Sequence, residues 1–160
     1  MDSQLTQFLT ETIVGLNPLV QFLAVFAVGL VPYLESHVGA LVGTVVGIPI
    51  PLALLAAIVG NLLALGVALW AGRAVARRVA ARRGAGSGKR SQKVLAKVDQ
   101  FGIPLASLLG PFVLATALST FIMVGAGLNQ RKVMIWQAAA VVIWGIAFGV
   151  IGLGVRGTLV

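Results

Sequence analysis

The sequence predicts an all-α integral membrane protein, an inverted repeat in which each half is a re-entrant helical hairpin followed by a transmembrane helix. Three observations lead there. Hydrophobic residues make up 59% of the 160 and charged residues only 10%, whereas a soluble domain carries about 25% charge to solvate its surface. Two apolar runs are long enough to cross a bilayer unbroken, and two more are interrupted near their middles. The cations are concentrated rather than spread, nine of the twelve lying between Arg73 and Lys97.

The first segment, 1–17, sets Leu5, Phe8, Leu9, Ile13 and Leu16 at helical spacing among polar residues. It reads as an amphipathic helix lying along the membrane interface. It bears Asp2 and Glu11 and no cation, the wrong sign for the start of a signal peptide, so it is expected to be retained. From 18 to 48 an apolar stretch is broken at Val31-Pro32-Tyr33-Leu34-Glu35-Ser36-His37. Proline removes a helical hydrogen bond and clashes with the preceding turn. The halves are therefore about 15 to 25 Å long at 1.5 Å per residue, too short to span, and predict a hairpin that leaves on the side it entered, with Pro32 at its tip.

Residues 51–72 form the first uninterrupted span, since about 20 apolar residues suffice, and 73–99 is basic. That segment reads as two short helices around a Gly84-Ala85-Gly86-Ser87-Gly88 hinge. A second broken stretch, 101–128, is interrupted at Gly110-Pro111, which predicts a second hairpin with its tip there. The final span is 133–155.

Under the positive-inside rule the basic segment is cytoplasmic. The first hairpin then opens outward and the second inward, and the whole repeats upside down. A shift of 79 residues, which lays Pro32-Tyr33 on Pro111-Phe112 and Gly66 on Gly145, agrees with that reading. Opposed broken helices are a transporter architecture. Arg73, Arg77, Arg78, Arg82 and Arg83 serve as the topology signal or as a binding surface for anionic lipid head groups; no nucleic-acid partner is expected.

Glu35 is the one acid inside an apolar stretch, and His37, the only histidine, lies two residues on. A carboxylate at membrane depth is costly to ionise and characteristically carries protons or cations. The structural alternative places Glu35 at the interface or as a helix N-terminal charge. In the second hairpin Thr116, Ser119 and Thr120 either bond back to their own helix carbonyls or face Glu35 across the repeat. Asn61 and Gln137 read as interhelical hydrogen-bonding residues more than ligands. Gly39, Gly43 and Gly47, with Gly145 and Gly149, form GxxxG steps that permit close helix packing, within the chain or across a dimer. With no cysteine, one histidine and one acid in an apolar stretch, no zinc site and no triad with its orienting acid can be assembled, and no P-loop motif is present. No enzyme activity and no cofactor are expected.

Val59 to Arg73, VGNLLALGVALWAGR, resembles the DedA (VTT-domain) superfamily in its glycine-spaced span ending Trp70, Gly72, Arg73. Asp99-Gln100-Phe101-Gly102, Gly110-Pro111-Phe112, Thr120-Phe121, Gly125-Ala126-Gly127, Arg131-Lys132 and Val142-Ile143-Trp144-Gly145 continue the likeness over roughly 19 to 155. The first hairpin is similar to the related small multidrug export proteins. Family arginines of the second hairpin, thought to engage a lipid phosphate, are absent here, and Leu65 stands where the span's acid would be. That argues against a polyprenyl-phosphate substrate and leaves Glu35 as the implicated acid.

The expected function is a small secondary transporter or flippase-like carrier, coupled to protons or cations, in a bacterial cytoplasmic (inner) membrane. A cationic or amphipathic small molecule, or a lipid, fits its one acid. The alternative is a membrane scaffold or accessory subunit acting through its basic segment. Two spans make a thin wall, so a homodimer is expected, with the glycine faces as its contact.

Overall fold

The structure, a computed structural model, describes residues 15–82 and 102–159, whose regular elements are six α-helices. They are α1 (Pro18–Leu30), α2 (Glu35–Val45), α3 (Ile50–Arg82), α4 (Ile103–Val113), α5 (Thr116–Gly125) and α6 (Gln130–Leu159). Most of the N-terminal segment and most of the basic segment, with Arg83 and the glycine hinge, lie outside the described residues.

Local chemistry sets most of the helix ends. At the start of α1 the Asn17 side chain accepts from Leu19 N at 2.9 Å, with Pro18 at the first helical position, where a missing N–H costs nothing. It stops at Val31, which is extended at φ −77°, ψ 124° because the ring of Pro32 disfavours helical backbone before it. Helix α2 closes on Gly47 at φ 98°, whose N–H donates to Thr44 O at 3.1 Å while Ile48 N donates to Gly43 O at 2.9 Å. This Schellman closure needs a residue that tolerates positive φ. The same closure ends α5 at Gly127, φ 90°, with Gly127 N to Val124 O and Leu128 N to Met123 O at 3.0 and 3.1 Å.

Those equivalences fall at an offset of 80 residues, as do the starts of α3 at Ile50 and α6 at Gln130. These recurrences lie one residue beyond the 79 read from the sequence. It extends to packing. A Cβ at Gly72 would stand 3.0 Å from Phe121 O and from Val124, and a Cβ at Gly152 would meet Leu41 O and Thr44, each 80 positions away.

Three boundaries differ from expectation. Helix α3 does not end at Gly72 but carries Arg73, Arg77 and Arg78 as its own last turns, with Arg82 its final residue; arginine and alanine are strong helix formers and nothing between breaks the run. Helix α6 likewise outruns 133–155, from Gln130 to Leu159. The second hairpin turns at Leu114-Ala115, with Ala115 extended at φ −49°, ψ 136°. Gly110 and Pro111 lie inside α4 rather than at the tip. A proline this near a helix end removes one hydrogen bond, and the glycine before it has no Cβ for the ring to strike.

The chain forms two compact units. Unit 1 comprises Met1–Leu63 and Val141–Val160, unit 2 Ala64–Ala140. In unit 1, α1 and α2 pack as a hairpin against the start of α3, around Val25, Ala40, Ile48, Ala53, Ala56 and Ala57. In unit 2, Ile103, Met123, Val124, Leu128 and Val133 make the core, with Leu69 against it. The glycine faces are used inside unit 1. Gly39 and Gly43 abut Ala57 and Ala53 of α3, and Gly145 and Gly149 abut Ile58 and Leu54. Gly47 is a turn residue.

The first hairpin turn holds Tyr33 at φ 73° with its side chain exposed. A left-handed backbone costs an L-residue about 1–2 kcal/mol, and an exposed tyrosine gains little burial in return. Tyr33→Gly is expected to raise thermal stability in detergent by about 1 kcal/mol; a lower midpoint would contradict the strain.

Candidate functional site

In unit 1 four polar side chains are buried around the start of α2: Glu35, Ser36, His37 and Asn61, exposed by 2%, 1%, 8% and 1%. Small residues make this possible. Ser36, Ala40 and Thr44 form one face of α2, and along it run Gly145, Gly149 and Gly152 of α6. A Cβ at Gly145 would lie 3.6 Å from Ser36 Cβ, and one at Gly149 3.8 Å from Ala40 Cβ. That approach lets Ser36 Oγ donate to Val141 O at 2.9 Å, across 105 residues of chain. Asn61 Nδ2 reaches the same hydroxyl at 3.4 Å, while Asn61 Oδ1 is buried with no partner among the described residues.

Glu35 opens the helix at φ 52°. Backbone strain of this kind in a non-glycine residue concentrates at functional sites. Its Oε2 lies 3.9 Å from His37 Nδ1, an ion-pair distance too long for a hydrogen bond. The imidazole stands edge-on to Phe148, centroids 5.3 Å apart and planes at 72°, and Phe148 meets Trp144 in the same manner at 6.1 Å. His37 thus meets both the Glu35 carboxylate and the Phe148 ring. An unpaired buried acceptor costs about 1–3 kcal/mol, a cost that a donor-bearing ligand or a cation at Asn61 Oδ1 recovers.

The second-hairpin hydroxyls belong to unit 2. Thr116, Ser119 and Thr120 are buried, and Ser119 Oγ and Thr120 Oγ1 both donate to Thr116 O, at 3.0 and 2.9 Å. This is the back-bonding that the sequence offered as one of two roles. Ser119 also accepts from Gln137 Nε2 at 2.9 Å. A groove of about 380 Å³ follows α4, lined by Leu105, Ala106, Leu109, Val113 and Leu114, with Ser119 as its hydroxyl. Ser119→Ala strands the buried Gln137 amide and is expected to cost about 1–3 kcal/mol; thermal unfolding reads it, and an unchanged midpoint would mean that the amide finds another acceptor.

At the offset of 80, Ser119 and Gln137 stand where unit 1 has Gly39 and Ala57, whose Cβ positions would be 3.1 Å apart. The two hairpins thus differ in chemistry, and the acid occurs only in the first. Asn61 is the interhelical hydrogen-bonding residue the sequence implied. Ser36 was missed: a serine between two ionisable residues carries no periodic signal, and its partner is remote.

Of the basic residues, Arg73 Nε donates to Gln130 Oε1 at 2.7 Å within unit 2, and Arg73 and Arg77 are exposed. No family model matches this chain, and neither does any curated protein or any solved structure.

Proposed function

We propose that the chain is a small integral membrane carrier of the DedA-like type, multi-pass in a bacterial cytoplasmic membrane, with Glu35 as its proton- or cation-binding group. Helices α3 and α6 are long and apolar enough to cross a bilayer, with only 44% and 28% of their most apolar windows buried. A soluble core helix buries most of such a surface, so these outward faces favour lipid as their solvent. Helices α1, α2, α4 and α5 have 13, 11, 11 and 10 residues, or about 15–20 Å each at 1.5 Å per residue, which suits re-entrant hairpins.

A hairpin returns the chain to its starting side and one spanning helix then crosses, so the second copy of the frame is inverted. The contacts recurring at an offset of 80 support that arrangement, and with it alternating access. The observation that carries the reading is the buried Glu35 on a strained turn, 3.9 Å from His37 and next in the chain to Ser36, whose hydroxyl Asn61 reaches. A proton and a cationic or amphipathic substrate would compete for this carboxylate, which couples the flow of one to the other.

The test is reconstitution in proteoliposomes with a fluorescent lipophilic cation and an imposed proton gradient. Gradient-driven flux in the wild type and its loss in Glu35→Gln is the expected result. Undiminished coupled flux in that variant removes the carrier role from Glu35.

A further inference from the structure

Resting on the membrane reading of α3 and α6 but not on the carrier reading, we propose that unit 2 holds a site for the phosphate of an anionic phospholipid, built by Arg73, Arg77 and Arg131. Arg73 and Arg77 are one helical turn apart on α3 and so share a face. Arg131 comes from the first turn of α6. The hydrogen bond from Arg73 Nε to Gln130 Oε1 ties the two helices together at 2.7 Å. It uses the side of the guanidinium and leaves the two terminal nitrogens, the fork that chelates a phosphate. Among the described residues the only acid is Glu35, which belongs to unit 1, so within unit 2 these cations have no described carboxylate to neutralise them.

Two grooves flank the Arg73–Gln130 pair. One, of about 630 Å³, combines Arg73 and Arg131 with Leu69, Met134 and Ile135. The other, of about 450 Å³, adds Arg77 beside Ala76, Ala80 and Gly127. A basic rim above an apolar floor matches a ligand with an anionic head and a hydrocarbon tail, and both volumes are in the range of small-ligand sites. Trp70, 69% exposed and three residues before Arg73 on α3, is the residue type that settles at a membrane–water boundary. A soluble phosphate would use the rim and leave Leu69, Met134 and Ile135 unserved. The occupant is therefore a membrane phospholipid, its phosphate on Arg73 and Arg131 and an acyl chain along the apolar floor.

Native mass spectrometry of the full chain, released from detergent with an equimolar mixture of phosphatidylglycerol and phosphatidylcholine, tests this. The anionic lipid is expected to be retained preferentially. Each arginine contributes about fivefold, so Arg73→Gln with Arg131→Gln should weaken phosphatidylglycerol binding by about 25-fold. Helicity followed by circular dichroism should stay unchanged, because both side chains are exposed. Equal retention of the two lipids, or full retention by a folded double variant, overturns the site. Soluble glycerol phosphate binding as tightly as phosphatidylglycerol overturns the lipid as its source. Glu35→Gln should leave lipid retention intact, which separates failure of this site from failure of the carrier reading.

Discussion

Gly60→Ala is expected to destabilise unit 1 by about 3 kcal/mol, the upper end of the usual cost of overpacking a core. The added methyl would land on the carbonyl oxygen of Phe26 and 3.3 Å from the carbonyl carbon of Gly29. Gly29 faces the same constraint from the other side, since a Cβ there would stand 2.5 Å from Ala57 O. Helices α1 and α3 thus cross backbone to backbone, an approach only residues without side chains permit. A flexible side chain at that point would swing away; a carbonyl held in a helix does not. The internal control is Gly66, on the same helix, where a Cβ meets nothing within 4 Å. Gly66→Ala should be neutral or add up to about 1 kcal/mol of helix propensity. Thermal or denaturant unfolding in detergent compares the two. If both alanines behave alike, the close crossing is wrong.

The second large effect is on function. Glu35→Gln is expected to abolish gradient-coupled flux while leaving unfolding within about 1 kcal/mol of the wild type, because an amide of the same shape can keep uncharged hydrogen bonds. A purely structural carboxylate would behave the other way, losing stability and keeping whatever transport the folded fraction performs. Its backbone makes the two cases separable: the strain at φ 52° is unchanged by glutamine, so any change in flux follows the titratable group. Transport and stability measured on one preparation decide it.

Much of the frame was legible because the signals are local. Val31 is extended because of its own neighbour Pro32, and the chain turns there as expected. The two long apolar helices needed only their length and composition. Glu35 stood out because it is one acid in an apolar run, and its burial agrees with that prominence. The misplacements are equally instructive. Pro111 looked like the break of the second hairpin, but a proline following glycine near a helix end is tolerable, and the turn falls at Leu114-Ala115. Arg73 looked like the end of a span because charge and apolar composition change there. The backbone does not respond to that change, and α3 continues to Arg82.

The glycines show the same limit. Gly39, Gly43 and Gly47 share a spacing, yet two are packing positions and the third is a left-handed turn. Spacing shows that small residues recur and leaves open what approaches them. The roles of Asn61 and Gln137 were legible as a class, polar residues that bind helices together. Their partners, Ser36 and Ser119, were not.

By itself the sequence determined the helical class, the long apolar helices and the turn of the first hairpin, since composition and proline act on the residues beside them. The tertiary structure alone decided which helix ends and contacts recur 80 positions apart, the second hairpin's turn and the burial of Ser36 against a carbonyl 105 residues away. It also brought Arg73 and Gln130 together. These depend on which helix faces approach closely, a choice made by the packing of remote small residues, to which no local pattern is sensitive.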